Sequence, residues 1–101
     1  MDLDDLAGAI RRAVPRAALP QGDTSGLFRT YAVLLLAKGE QVTSADVHNA
    51  WVAWMADKDG SHESLVPFGD LDAKTQAEDS PYLIAIRAVA RSHEDGPHQG
   101  G

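Results

Sequence analysis

Four histidines, His48, His62, His93 and His98, are the side chains best suited to metal or proton chemistry. Imidazole is a common zinc ligand and titrates near neutral pH. No two of them stand three or four residues apart, the spacing that presents two ligands from one helix face, so the sequence predicts no metal site and no cofactor. A serine or threonine nucleophile would need an adjacent base. The serines fall mostly at expected caps and turns, and no nucleophile elbow is present. The carboxylates are numerous, but a general acid needs burial to lift its pKa, and these lie on polar faces or at expected helix starts. Gly22 and Gly26 follow no strand and carry no P-loop lysine. A protein that is not an enzyme is expected. Trp51 and Trp54, three residues apart, lie on adjacent parts of one helix face; core packing accounts for them, and an aromatic wall for a ligand or partner is the alternative.

The elements that would carry these groups follow from apolar spacing. Leu3, Leu6, Ala7, Ile10 and Val14 recur at helical intervals, with acids in the first turn and Arg11 and Arg12 in the last, and predict a helix over 3–14. Pro15 and Pro20 bracket a loop. Thr24 or Ser25 can cap a second helix over 25–38, apolar on nearly every side and ended by Gly39, which is expected to be the most buried element. Thr43 and Asp46 form a capping-box pattern before a third helix over 44–57. Ser64-Leu65-Val66-Pro67-Phe68 reads as extended, because proline pushes its predecessor out of helical geometry. Asp70 or Asp72 can start a short helix through Ala77, and Asp79-Ser80-Pro81 starts a last one over 81–91. The fold expected is all-α, a compact bundle of four to five helices with an extended Leu-Val-Pro loop segment. Residues 1–91 are read as one domain and 92–101 as a disordered tail.

Charge narrows the partners. The 101 residues carry a net charge of −6, and between Glu40 and Asp79 nine acids face only Lys58 and Lys74. Nucleic-acid affinity comes mainly from lysine and arginine displacing counterions, so DNA and RNA are not expected partners. The longest apolar run, Tyr31 to Ala37, is too short to cross a bilayer, and no membrane association is expected. The start Met1-Asp2-Leu3-Asp4-Asp5 lacks the basic and apolar parts of a secretory signal, and cysteine is absent, which together predict a cytoplasmic chain.

The run His48-Asn49-Ala50-Trp51, followed by Leu65-Val66-Pro67-Phe68 and then Leu71-Asp72-Ala73-Lys74-Thr75, resembles the ryanodine receptor repeat (RyR) domain. That family shows the same order: a His-Asn-x-Trp helix, a Leu-Val-Pro-aromatic segment, a Leu-Asp-x-basic-Thr turn and a closing amphipathic helix. The resemblance covers residues 46–90. The family's Gly-Trp-x-Tyr-Gly stretch is missing, and Asp57-Lys58-Asp59-Gly60-Ser61-His62 fills that interval. The whole chain also resembles small actinobacterial proteins. The RyR resemblance implies a non-catalytic helical module that docks on another protein. Its alternative implication is a module sensing a nucleotide-like small molecule, with a pocket between helix three and the Leu-Val-Pro segment. The surface it singles out comprises His48, Asn49, Trp51, His62, Pro67 and Phe68, for which bracing the fold and binding a partner are both open readings.

Overall fold

In the computed structural model, which describes residues 2–20, 22–58, 60 and 65–94, Asp2 accepts a hydrogen bond from the Asp5 amide at 2.8 Å and opens α1 (Leu3–Ala13). Leu6, Ala7 and Ile10 turn inward, and Val14 closes the helix one residue earlier than its spacing suggests. Pro15 cannot continue the helix, and a 3-10 turn over Arg16–Ala18 follows.

The second helix, α2 (Ser25–Lys38), has the expected bounds but not the expected cap. Thr24 occupies the cap position with ψ 11° instead of the extended geometry that aims a hydroxyl at the first amides, and it makes no capping bond. Asp23 does this work instead, accepting from the Ser25 amide at 3.0 Å and the Ser25 hydroxyl at 2.6 Å. Gly39 ends α2 at φ +56°, a conformation that side chains with a Cβ rarely adopt. The helix carries more buried residues than any other described helix, as expected, but on one side only. Leu27, Phe28, Tyr31, Ala32 and Leu35 are buried, yet Val33 and Leu36 on the opposite side are 53% and 57% exposed. Helices pack on one side of α2 only, so an apolar composition all round has not produced burial all round.

Thr43 and Asp46 form the reciprocal box that starts α3 (Ser44–Lys58): the Thr43 amide donates to Asp46 at 3.0 Å, and the Asp46 amide to Thr43 Oγ1 at 3.2 Å. Lys38 bonds the same carboxylate at 3.0 Å. These bonds hold the Asp46 carboxyl below its usual range, the Thr43 amide contributing most. After α3, Pro67 is extended, but Phe68 begins a 3-10 turn over Phe68–Asp70 instead of continuing the extended run. Asp72 caps the short α4 (Ala73–Ala77) through the Thr75 amide at 2.8 Å.

The last helix, α5 (Ser80–Glu94), starts one residue before its expected position and runs past Arg91, so Ser92 and His93 are helical and not part of a tail. The rest of the expected tail, residues 95–101, lies outside the described residues. The core forms where α1, α2 and α5 meet, with Val42, Val47 and Ala50 closing it from the α3 side. Each fully buried Leu, Ile or Phe there contributes about 1.5–3 kcal/mol relative to exposure. Phe28, Tyr31 and Tyr82 pack as an aromatic trio with centroids 5.6–6.3 Å apart. Arg87 of α5 donates from Nε and Nη2 to the Val42 carbonyl at 3.0 and 2.7 Å, tying the α2–α3 connection to the core. The fold is all-α, with no strand among the described residues and no described helix long and apolar enough to cross a membrane.

Candidate functional site

The first two turns of α3 place His48 on the inner side of the helix, where its ring is only 3% exposed. Three groups surround that ring. Nε2 lies 2.7 Å from the Val66 carbonyl, the Trp51 ring stacks on it at 5.7 Å with a 23° tilt, and the Phe68 ring stands 6.0 Å away at 58°. A carbonyl can only accept, so Nε2 carries the hydrogen and donates to Val66. The other nitrogen, Nδ1, then faces Asp79 Oδ2 at 3.7 Å, near enough for charge interaction but too long for a hydrogen bond.

Asp79 is the group that sequence reasoning missed. The Asp-Ser-Pro signal marks it as a helix cap, and its carbonyl does accept from the Leu83 amide at 3.0 Å. Its carboxyl turns inward instead of capping, and Oδ2 is buried without a hydrogen-bond partner. Burial pushes its pKa up to about 6; His48 opposes that shift and Glu78 adds to it. The expectation that every acid lies on a polar face or merely starts a helix therefore fails here. The signal that could have found Asp79 is absent, because 31 residues separate it from His48 and only the fold joins them.

The other expected residues divide. Trp51 and Phe68 join His48. Asn49, next to His48 on the helix, points outward and is exposed, as is Pro67. His62 lies outside the described residues. Gln76 of α4 is a second residue the sequence did not single out. Its side-chain amide donates to the carbonyls of Phe68 and Leu71 at 3.0 and 3.1 Å and holds the turn. Around this seam, Trp51, Val52, Trp54, Met55, Leu65, Val66 and Phe68 remain partly exposed. Lys58 lies 4.9 Å above the Trp54 ring, and that ring packs against Gly26 of α2.

A family model described as "Domain of unknown function (DUF7701)" matches residues 2–91, from the cap of α1 to Arg91 in α5. The chain belongs to the DUF7701 family. No curated protein and no solved structure matches it. The DUF7701 match takes in α1 and α2 as well as the His48 seam, whereas the RyR resemblance begins only at Asp46. Chemically, the His48–Asp79 pair in this DUF7701 chain can hold a proton and brace three segments. Both ring nitrogens face protein groups, so the ring offers nothing to a substrate unless the Val66 segment moves away.

Proposed function

We propose that this chain is a non-enzymatic, RyR-like helical module, cytoplasmic in location, that binds another protein through the surface built by the second half of α3 and the segment Leu65–Phe68. One observation carries the reading. On the second half of α3 and in Leu65–Phe68, the large apolar side chains Trp51, Val52, Trp54, Met55, Leu65, Val66 and Phe68 stay partly exposed, whereas Leu6, Ile10, Leu27 and Ile86 of the core are wholly buried. Tryptophan and other aromatics are enriched in the parts of interfaces that hold most binding energy. The order of motifs from His48 to Thr75 supports the same reading through its resemblance to the ryanodine receptor repeat. In this reading His48 is the brace that holds the surface in shape, while Asn49 and Pro67 belong to its exposed rim.

The competing reading is a sensor of a nucleotide-like small molecule with its pocket between α3 and the Leu-Val-Pro segment. The His48 ring occupies that interval, bonded to Val66 at 2.7 Å, and this favours protein binding. The test is affinity capture from the native host with the wild-type chain and with Met55→Glu, each checked for unchanged melting, with mass spectrometry of proteins and small molecules. A defined protein captured by the wild type and lost with Met55→Glu is the expected result. A nucleotide-like compound retained with no protein, or a protein retained equally by both chains, would overturn the proposal.

A further inference from the structure

The net charge of −6 hides a basic corner. Arg11 and Arg12 at the end of α1 and Arg16 in the following 3-10 turn line an open groove of about 660 Å³, together with Gly8, Val14 and Leu19. That volume lies within the range of ligand-binding clefts. Several cations elsewhere are engaged, Arg29 with Asp4, Lys38 with Asp46, Arg91 with Glu40, and Arg87 with the Val42 carbonyl, whereas Lys74 makes no such contact. Among the described residues, none of the three groove arginines has an acidic partner. Asp23, on the loop before α2, directs its Oδ1 to the amide and hydroxyl of Ser25 and forms no ion pair with these arginines.

Helix-dipole complementarity accounts for two of these arginines but not for the rest of the construction. Gly8 sits in the interior of α1, where glycine costs about 1 kcal/mol relative to alanine. A Cβ at that position would lie 3.3 Å from Arg12 Nη1, so the missing side chain gives the guanidinium room to lie against the helix. The opposite wall is fixed in advance. The Ala18 amide donates to the Pro15 carbonyl at 2.9 Å, and the Tyr82 hydroxyl of α5 donates to the Ala18 carbonyl, which locks the turn bearing Arg16 to the core. Val14 is buried beneath the groove and Leu19 half-covered beside it, so the arginines surround apolar ground.

We propose that this groove binds an acidic segment of a protein partner, its carboxylates paired with Arg11, Arg12 and Arg16 and its apolar side chains seated against the half-covered Leu19. Arginine's planar fork matches a carboxylate with two parallel hydrogen bonds. The same fork would accept a phosphate, but the apolar ground beside the arginines has no use for a polyphosphate backbone, whereas it suits the apolar side chains of a peptide. This site is separate from the α3 surface and does not depend on it.

The test is fluorescence anisotropy with the full chain and a short fluorescein-labelled peptide of glutamate and leucine. A glutamate–serine peptide of equal charge and a single-stranded oligonucleotide of equal charge serve as comparisons. The glutamate–leucine peptide should bind best. Arg12→Gln with Arg16→Gln should weaken it about tenfold, and the corresponding lysine pair, which keeps charge but loses the fork, should fall between. Gly8→Ala should melt higher and yet bind more weakly. Met55→Glu should leave this affinity unchanged, which separates a failure here from a failure at the α3 surface. Equal binding by the glutamine pair, or binding of the serine peptide or the oligonucleotide as tightly as the leucine peptide, would overturn the proposal.

Discussion

The two halves of this molecule spend their apolar residues differently. Where α1, α2 and α5 meet, Leu6, Ile10, Leu27, Phe28, Tyr31 and Ile86 are buried almost completely, with few polar groups among them. Across the α3 seam the large side chains are partly exposed, His48 joins the helix to the Val66 carbonyl, and Gln76 holds the turn beyond it through the carbonyls of Phe68 and Leu71. The first region is held mainly by area, which is tolerant of direction, with the Tyr82–Ala18 and Arg87–Val42 bonds tying its connecting turns to it. The second is held by a few groups with fixed geometry, so losing one of them should matter more than losing an apolar neighbour.

That contrast is easiest to break at its strong end. Ile86→Ala removes a side chain with no exposed surface and should cost about 4 kcal/mol, while Met55→Ala at the seam should cost about 1 kcal/mol or less. Urea titrations of the two variants measure the difference, and equal losses would erase the distinction between the regions. Next in size is His48→Ala, which strands the Val66 carbonyl and leaves the Asp79 carboxyl buried without its neighbour. A loss of about 3 kcal/mol is expected, in contrast to Met55→Ala. A double-mutant cycle with Asp79→Asn assigns the share that belongs to the pair. Unchanged melting in His48→Ala would remove the brace from the account of the seam.

Asp79 sharpens the comparison through pH. Folded, it keeps its proton up to about pH 6, whereas in the unfolded chain it releases that proton near its ordinary value of 3.8. Between those values folding takes up a proton, so stability falls as pH rises through the window and is flat above it. A change of about 2 kcal/mol from this group is expected, and Asp79→Asn should abolish it. Asp46 and Asp72 act in the opposite sense. Their hydrogen bonds lower their pKa values, so they stabilise the fold above the unfolded value and lose that contribution as pH falls further. Melting temperatures from pH 4 to 7 for the wild type and Asp79→Asn give the answer; parallel curves would refute the buried-acid assignment.

Local signals were legible in the sequence, and contacts across the fold were not. Thr43 and Asp46 act within one turn, as does Gly39, and both marked their helix boundaries correctly. His48, Trp51 and Phe68 were found through an ordered resemblance, and the fold brings them together. The role of His48 could not be read, because its partners lie 18 and 31 residues away in a loop and at a helix start. Asp79 carried a misleading signal: Asp before Ser-Pro is a good cap, and nothing local says that its carboxyl turns inward instead. Asn49 is exposed while His48 is buried for a geometric reason: adjacent positions on a helix point about 100° apart, so the two cannot share the inward direction.

The smallest expected effect tests where burial itself was misjudged. By composition α2 has no polar face, and that pattern predicts enclosure on every side; yet Val33 stands 53% exposed on the surface turned away from α1, α3 and α5. If that surface is solvent in solution, Val33→Glu exchanges a β-branched residue for a better helix former and should change stability by no more than about 0.5 kcal/mol. The same substitution at Leu27, on the inner side of the same helix, should prevent folding, because it would bury an unpaired carboxylate. Thermal melts of both variants at two protein concentrations complete the test. A large loss in Val33→Glu that shrinks as the protein is diluted, because only the wild type then loses stability, would mean that the outer face of α2 is covered by a second copy. The contrast between the two halves would then have to include a third, intermolecular surface.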